Sequence, residues 1–230
     1  PQGEQGPRGP SGSGQALNWA DVIEDNNLTG TIYAIGYSVL GFNFLIGTGF
    51  SAHYSDTIWT NAHVARGLSD VISELALLFP TPFAVKSGTI IGGPDTYLLN
   101  NFYTHPEYTG STGSPDIAVL ITSAEFTSVP RFLPRDFAAA LRVGQPIGTM
   151  GFPGEIAALN TTVPIASFKD GTISALRPFN PITTSFAPEN NRFVQHNLDL
   201  SGGTSGSPIF DQSGWIIAIN NSGTERLVID

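Results

Sequence analysis

The sequence contains no cysteine. That excludes a disulfide framework, thiolate catalysis and cysteine-ligated zinc, and it leaves the cellular compartment open. Charge is scarce. Asp, Glu, Lys and Arg make up 13% of 230 residues, whereas a disordered chain would be richer in charge and poorer in apolar residues than the 40% found here. Basic residues are scarcer still: Lys and Arg number 10 against 19 Asp and Glu, for a net charge of −9. With no basic excess to release counterions, neither nucleic acid nor an anionic membrane surface is an expected partner. Long apolar runs are missing too. Residues 26–52 carry no charge, but Gly30, Gly36, Gly41, Gly47 and Gly49 interrupt them. A spanning helix needs about 20 mostly apolar residues, so two strands joined by a Gly turn fit better and no membrane insertion is expected. Neither a basic n-region nor an apolar h-region follows Pro1, so any signal peptide is expected to be already removed or to lie upstream.

What is abundant is glycine (26), proline (17) and phenylalanine (15), a composition of many short strands punctuated by turns. Glycine recurs at Gly3, Gly6, Gly9 and Gly12, with Pro1, Pro7 and Pro10 in the X position. Only glycine fits at the axis of three wound polyproline-like chains, so residues 1–15 read as the remnant of a collagen-like stalk, or as a Pro/Gly linker of accidental period. A real stalk implies a homotrimeric parent protein, secreted or held at the cell surface or in a periplasm. Residues 16–29 suit a short amphipathic helix. Strands are expected at 31–39, 44–52, 57–61, 83–91, 96–103 and 117–122, and a helix over 64–79 capped by Ser69 or Asp70. A boundary falls within 124–143, where Pro130, Pro134 and a short helical piece at 136–142 lie, giving units 16–135 and 136–230. The second unit has strand candidates at 145–151, 161–168, 171–176, 192–198, 207–211 and 215–220, and their regular spacing predicts an all-β barrel or sandwich.

The four histidines, His53, His63, His105 and His196, show no zinc-hydrolase spacing, and nothing points to paired catalytic carboxylates. The informative run is Ser201-Gly202-Gly203-Thr204-Ser205-Gly206-Ser207-Pro208, ahead of the apolar Ile209-Phe210. Small neighbours let a substrate approach Ser205 Oγ, and they let the Gly203 and Ser205 N–H groups converge on a developing oxyanion. A serine needs a base. His63, in Thr60-Asn61-Ala62-His63-Val64, follows an apolar strand. Asp116, in Pro115-Asp116-Ile117-Ala118-Val119-Leu120, precedes one and would orient the imidazole. Singly each has an ordinary structural reading, as a Gly/Ser hairpin, a strand-end His and a turn Asp. Together they stand in the order His–Asp–Ser, which is one of the orders of a catalytic triad.

An ordered series of motifs extends this. Gly47-Thr48-Gly49-Phe50 and Thr60-Asn61-Ala62-His63-Val64 resemble the strand and motif of the catalytic His in chymotrypsin-fold serine proteases of the Cys-free sort, the HtrA-type proteases and glutamyl endopeptidases. His105-Pro106-Glu107-Tyr108 with the Asp116 segment resembles the stretch bearing the triad Asp. Leu141-Arg142-Val143-Gly144-Gln145, Gly151-Phe152-Pro153-Gly154 and Gly171-Thr172-Ile173-Ser174-Ala175-Leu176 resemble strands of the second barrel, and 202–208 resembles the nucleophile loop. The resemblance covers about 30–230. It implies an all-β fold of two six-stranded antiparallel β-barrels with short helices, a triad of His63, Asp116 and Ser205 in the cleft, and an oxyanion hole of Gly203, Thr204 and Ser205. The implied reaction is peptide-bond hydrolysis through an acyl-enzyme, with protein or peptide as substrate and with neither metal nor cofactor.

Thr204 departs from trypsin-like zymogens, which keep an Asp before the nucleophile, so activation by an inserted N-terminus is not expected. Asp199 falls where trypsin-like enzymes select basic side chains, Leu200 where HtrA-type enzymes carry an aliphatic residue, and Asn220 where glutamyl endopeptidases use His. Asp199 must either line the pocket or pair elsewhere. A small or medium apolar P1 residue is expected, with a basic one as the rival. Asn220, Asn221 and Ser222 are expected to pair with substrate backbone. His53, His105 and His196 read as structural, and the glycosylation-like triplets at Asn27, Asn160 and Asn220 as chance matches. Two other functions remain open on sequence: a catalytically silent protease-fold binding head on a stalk, and an esterase using the same residues.

Overall fold

A computed structural model of the chain describes residues 18–111, 113–126, 130, 132–133, 139–154, 162–178 and 192–221. The collagen-like repeat, Asn160 and Ser222 lie outside the described residues. Six strands form the first half: β1 (Ile32–Val39), β2 (Phe42–Ser51), β3 (Thr57–Thr60), β4 (Thr81–Lys86), β5 (Thr96–Thr104) and β6 (Ala118–Thr122). They pair antiparallel and close into a barrel in the order β1-β2-β3-β6-β5-β4.

β1 shows why the strand is apolar on both faces. Tyr33 and Ile35 point into the barrel, among Ile58, Leu68, Ala84 and Leu120. Ile32 and Ala34, on the other face, join Phe50, Phe83 and Val85 against Met150, Phe152, Phe210 and Ile216 of the second half. One period-2 strand therefore serves two cores. Each large side chain buried between the halves contributes roughly 1.5–3 kcal/mol, so the halves dock through a core of their own.

The second half is a five-stranded sheet of β7 (Pro146–Gly151), β8 (Ser167–Arg177), β9 (Phe193–His196), β10 (Pro208–Phe210) and β11 (Ile216–Ile219), in the order β11-β10-β7-β8-β9. This corrects the expectation of two closed six-stranded barrels: the first closes and the second is a half-barrel. Its edges are β9 and β11, and the neighbouring stretches 179–191 and 222–230 lie outside the described residues.

The halves are strapped together at their chain ends. Helix α1 (Trp19–Asp25), whose Asn18 side chain accepts from Ala20 N at 3.1 Å, precedes the first barrel but packs on the second sheet. Trp19 sits 5.7 Å from Phe168 and 6.0 Å from Phe210, ring to ring. After the first barrel, Phe132 bridges to Ile216, and Leu133 N donates to Ile216 O at 2.8 Å.

Helix α2 (Ala62–Glu74) starts two residues before the expected helix over 64–79 and ends five residues short of it. Ala62, Val64, Ala65 and Leu68 make its buried face, and Ser69 and Asp70 lie on its exposed face rather than capping it. A 3₁₀ turn (Ala76–Leu78) follows. The expected strand over 83–91 is shorter, ending at Lys86. Among the described residues no helix is long and apolar enough to cross a membrane.

Candidate active site

Strands β3 and β6 are paired so that Thr60 faces Ala118. The chain leaves β3 into the first turn of α2 at His63 and enters β6 just after Asp116. Residues 53 apart in sequence are thereby brought together. The His63 N–H donates to Asp116 Oδ1 at 2.9 Å, and His63 Nδ1 lies 2.6 Å from Asp116 Oδ2. Asn61 Nδ2 donates to the Asp116 carbonyl at 2.8 Å, fixing the backbone as well. Both carboxylate oxygens are engaged, so the carboxylate cannot rotate and the ring is held by Nδ1. Nε2 is left as the basic nitrogen. The Asp116 side chain is 11% exposed and that of His63 41%, so the acid is shielded and the base reaches solvent.

Beside this turn runs the nucleophile loop. A methyl group on Gly47 would lie 3.0 Å from the Val64 methyls and 3.4 Å from Ser205 O, so β2, the first turn of α2 and Ser205 meet at one glycine. His63 Nε2 and Ser205 Oγ make no direct hydrogen bond. Such bonds are commonly long without substrate and close in the substrate complex.

The loop itself is fixed through its carbonyls. Gly202 O accepts from Gly154 N at 2.5 Å, Gly203 O from Thr48 Oγ1 at 2.8 Å, Thr204 O from Asn220 Nδ2 at 3.0 Å and Ser205 O from Thr48 N at 2.9 Å. In a trans peptide the C=O and the next N–H point in opposite directions. Holding the carbonyls of Gly202 and Thr204 therefore turns the N–H groups of Gly203 and Ser205 the other way. Among the described residues those two N–H groups meet no acceptor. Thr204, expected beside them in the oxyanion hole, differs: its N–H and its hydroxyl both go to Ser201 O, at 3.2 and 2.7 Å. Gly206 has φ +86°, and a Cβ there would collide with Thr48 O and Thr60 Oγ1, so only glycine fits.

Thr48 was legible only as part of a strand motif, yet it is the hub of this arrangement. It is fully buried. Besides the bonds to Gly203 and Ser205, its hydroxyl accepts from Phe152 N at 3.0 Å and its carbonyl accepts from Thr60 Oγ1 at 2.7 Å. The signal was there in Gly47-Thr48-Gly49: glycines within a strand mark the close approach of other chain segments.

The residues expected to contact substrate are dispersed. The Asp199 side chain is 93% exposed and lies 3.5 Å from Lys169 Nζ. With Leu200, Ser201, Thr204 and Ser207 it lines a hollow of about 240 Å³ behind the nucleophile loop. Asn220 is 2% exposed and turns its side-chain amide to the loop. Asn221 lines a separate cavity of about 280 Å³ between the halves, together with Asp116, Phe132, His196 and Asn220. Burial pushes the His196 pKa below its ordinary value, an effect the neighbouring Asn220 amide partly offsets. On the outer side, Arg66 stacks 4.5 Å over the Tyr108 ring. Burial and the Asp116 carboxylate push the Tyr108 phenol up, against the pull of Arg66.

The sequence profile of the trypsin-like peptidase domain matches residues 47–219, from the Thr48 strand to the end of β11. The chain belongs to this family. Among curated protein sequences none matches the chain. Solved structures share the fold of this trypsin-like peptidase domain at low identity. Deg5 superposes with a TM-score of 0.59 at 18% identity, covering 88% of this chain and 83% of its own. The HtrA-type protease AlgW, solved with a decapeptide, gives 0.63 at 15% identity over 91% of this chain. This chain spans only 60% of that AlgW chain. An inactive form of Rv3671c from M. tuberculosis gives 0.57 at 15% identity, covering 89% of this chain and 79% of its own.

Proposed function

We propose that this trypsin-like domain is a serine endopeptidase working through His63, Asp116 and Ser205. The observation that carries this reading is the two-point grip of Asp116 on His63, at 2.9 and 2.6 Å. It fixes the tautomer in which Nε2 can accept a proton. Ser205 Oγ attacks the scissile carbonyl and gives its proton to His63 Nε2. The oxyanion is received by the Gly203 and Ser205 N–H groups. Collapse breaks the C–N bond, and the amine leaves with the proton from His63. Water, deprotonated by His63, then hydrolyses the acyl-serine and restores Ser205.

Asp199 supports an apolar P1 residue over a basic one. A basic side chain needs an unpaired carboxylate at the base of its pocket, whereas Asp199 is solvent-exposed and faces Lys169. The Gly-X-Y register supports a homotrimeric stalk and, with it, a secreted or surface location. The units 16–135 and 136–230 are read as the two halves of one catalytic domain.

Fluorophosphonate labelling read by intact mass and peptide mapping tests the assignment. A single adduct on Ser205, lost in Ser205→Ala and strongly slowed in His63→Ala, is expected. No adduct on well-folded protein would refute an assembled triad and favour the binding-head reading. Cleavage of small activated esters but not of unfolded proteins would favour an esterase. Monomeric sedimentation of a longer, stalk-bearing chain at micromolar concentration would remove the trimer.

A further inference from the structure

Asn220 is tied to the nucleophile loop by its backbone and by its side chain. Its backbone N donates to Ser207 O at 2.8 Å, its carbonyl accepts from Gly206 N at 2.9 Å, and its side-chain Nδ2 donates to Thr204 O at 3.0 Å, with Thr204 Oγ1 at 3.5 Å. The first two are backbone bonds that any residue could make. The third depends on the amide. It falls on the carbonyl of the peptide whose other end is the Ser205 N–H, and a planar trans peptide turns as one body. The Ser207 N–H also donates to Thr204 O, at 3.1 Å, so an acceptor in place of Nδ2, or nothing at all, removes one of the two donors that hold this carbonyl and loosens the peptide that carries the Ser205 N–H.

The other end of the amide points to a second residue. Among the described residues, buried Asn220 Oδ1 has no hydrogen-bond partner, and the same holds for His196 Nδ1. Both residues line the cavity between the halves, and His196 feels the Asn220 amide. One orphan is an acceptor and the other can be a donor. A Nδ1–H tautomer of His196 therefore favours the amide orientation that turns Oδ1 toward His196 and Nδ2 toward Thr204. We infer that Asn220 is a positioning residue for the Ser205 N–H donor of the oxyanion hole, and that His196 selects the orientation of its amide.

This inference rests on the proposed Ser205 chemistry and assigns Asn220 a task other than contact with a substrate side chain. The test uses the whole chain with a chromogenic peptide ester and an amide substrate, and with fluorophosphonate, whose phosphonyl oxygen occupies the oxyanion position. Asn220→Ala should lower kcat and the labelling rate together by about 10-fold, the scale of losing one of the two hydrogen bonds that hold the Thr204 carbonyl, with KM nearly unchanged. Asn220→Asp, close in shape but unable to donate when ionised, should do the same. His196→Phe keeps the ring and removes the donor, so a smaller fall in the same two rates is expected, about 5-fold for one hydrogen bond.

A rise in KM with kcat intact would make Asn220 a specificity residue and overturn the inference. So would Asn220 variants that label at the wild-type rate. If the Asn220 variants do not fold, His196→Phe still decides, since unchanged kcat and labelling there would overturn the selecting role and with it the coupled device. Absence of labelling in the wild type would overturn the triad reading and this inference together, which sets that failure apart from one confined to Asn220.

Discussion

Replacing Thr48 by valine keeps the shape of the side chain and removes one hydroxyl. That hydroxyl donates to Gly203 O at 2.8 Å and accepts from Phe152 N at 3.0 Å. Thr48 is fully buried and Phe152 is 2% exposed, so water cannot replace the bond lost by Phe152 N, whereas Gly203 is half-buried. The buried N–H left unsatisfied costs about 1–3 kcal/mol, the partly buried carbonyl about 0.5–1 kcal/mol, and the added methyl returns at most about 0.8 kcal/mol. A net loss of about 1–3 kcal/mol follows, or a fall in Tm of roughly 3–10 °C for a chain of this size. The backbone bonds of Thr48 to Ser205 and Thr60 do not involve the side-chain hydroxyl, so the variant should still fold. With Gly203 O released, kcat should fall by about 10²-fold, the scale of a small misplacement at a reacting centre. Urea unfolding with an unchanged slope and a lowered midpoint is the assay, run beside peptidase kinetics. Thr48→Ser keeps the hydroxyl and should lose far less. A Thr48→Val midpoint within about 0.5 kcal/mol of wild type, with normal kcat, would refute the hub.

Other expectations follow from the same geometry. Asp116→Asn should leave the fold intact and lower kcat by about 10⁴-fold, since an amide favours the wrong His63 tautomer; near-wild-type turnover would show that the grip is not catalytic. Gly206→Ala should abolish labelling of Ser205, because a Cβ collides with Thr48 O and Thr60 Oγ1 at a backbone angle of +86°; a soluble variant that still labels would contradict this. His196 has a folded pKa below its ordinary value of 6.5, so the unfolded chain binds the extra proton first as pH falls. Its contribution is full above 6.5 and is lost on acidification through the lower, folded pKa. Part of the wild type's loss of stability over that range should therefore be missing in His196→Phe, as measured by unfolding at several pH values, and parallel curves would exclude His196 as the source.

Where local pattern and tertiary environment agreed, the sequence was readable. β1, β5 and β7 lie within a residue of their expected bounds, because alternating β-branched and aromatic residues stand between clear turns. Where tertiary contact set the local structure, it was not. Asp170-Gly171 looks like a turn, yet β8 runs straight through it. Gly171 is there because a Cβ would meet Asn197 Oδ1 at 2.5 Å and Leu198 Cδ2 at 3.2 Å, an approach that depends on β9 and the chain after it. The start of α2 falls two residues ahead of its expected place, behind an N-cap Asn61 whose side chain makes no cap bond and instead donates to Asp116 O, 55 residues away. His63, Asp116 and Ser205 could be named from their motifs, whereas Thr48 and Asn220 act through bonds to carbonyls, which leave no mark in a list of residue types.

The same bonds bear on how the protein is made. The nucleophile loop belongs to the second sheet, but Thr48 in the first barrel holds both Gly203 and Ser205. A chain emerging from the ribosome completes the His63 half long before Ser205 exists. Ser205 in turn is gripped only after the two halves have docked. A nascent or half-folded chain thus lacks the arrangement needed to cut its neighbours at the stage when unfolded substrate, including its own copies, is most plentiful. On the proposed Ser205 chemistry, thermal loosening between the halves should silence the site before the chain unfolds, so that a failing molecule is a victim of proteolysis rather than a source of it.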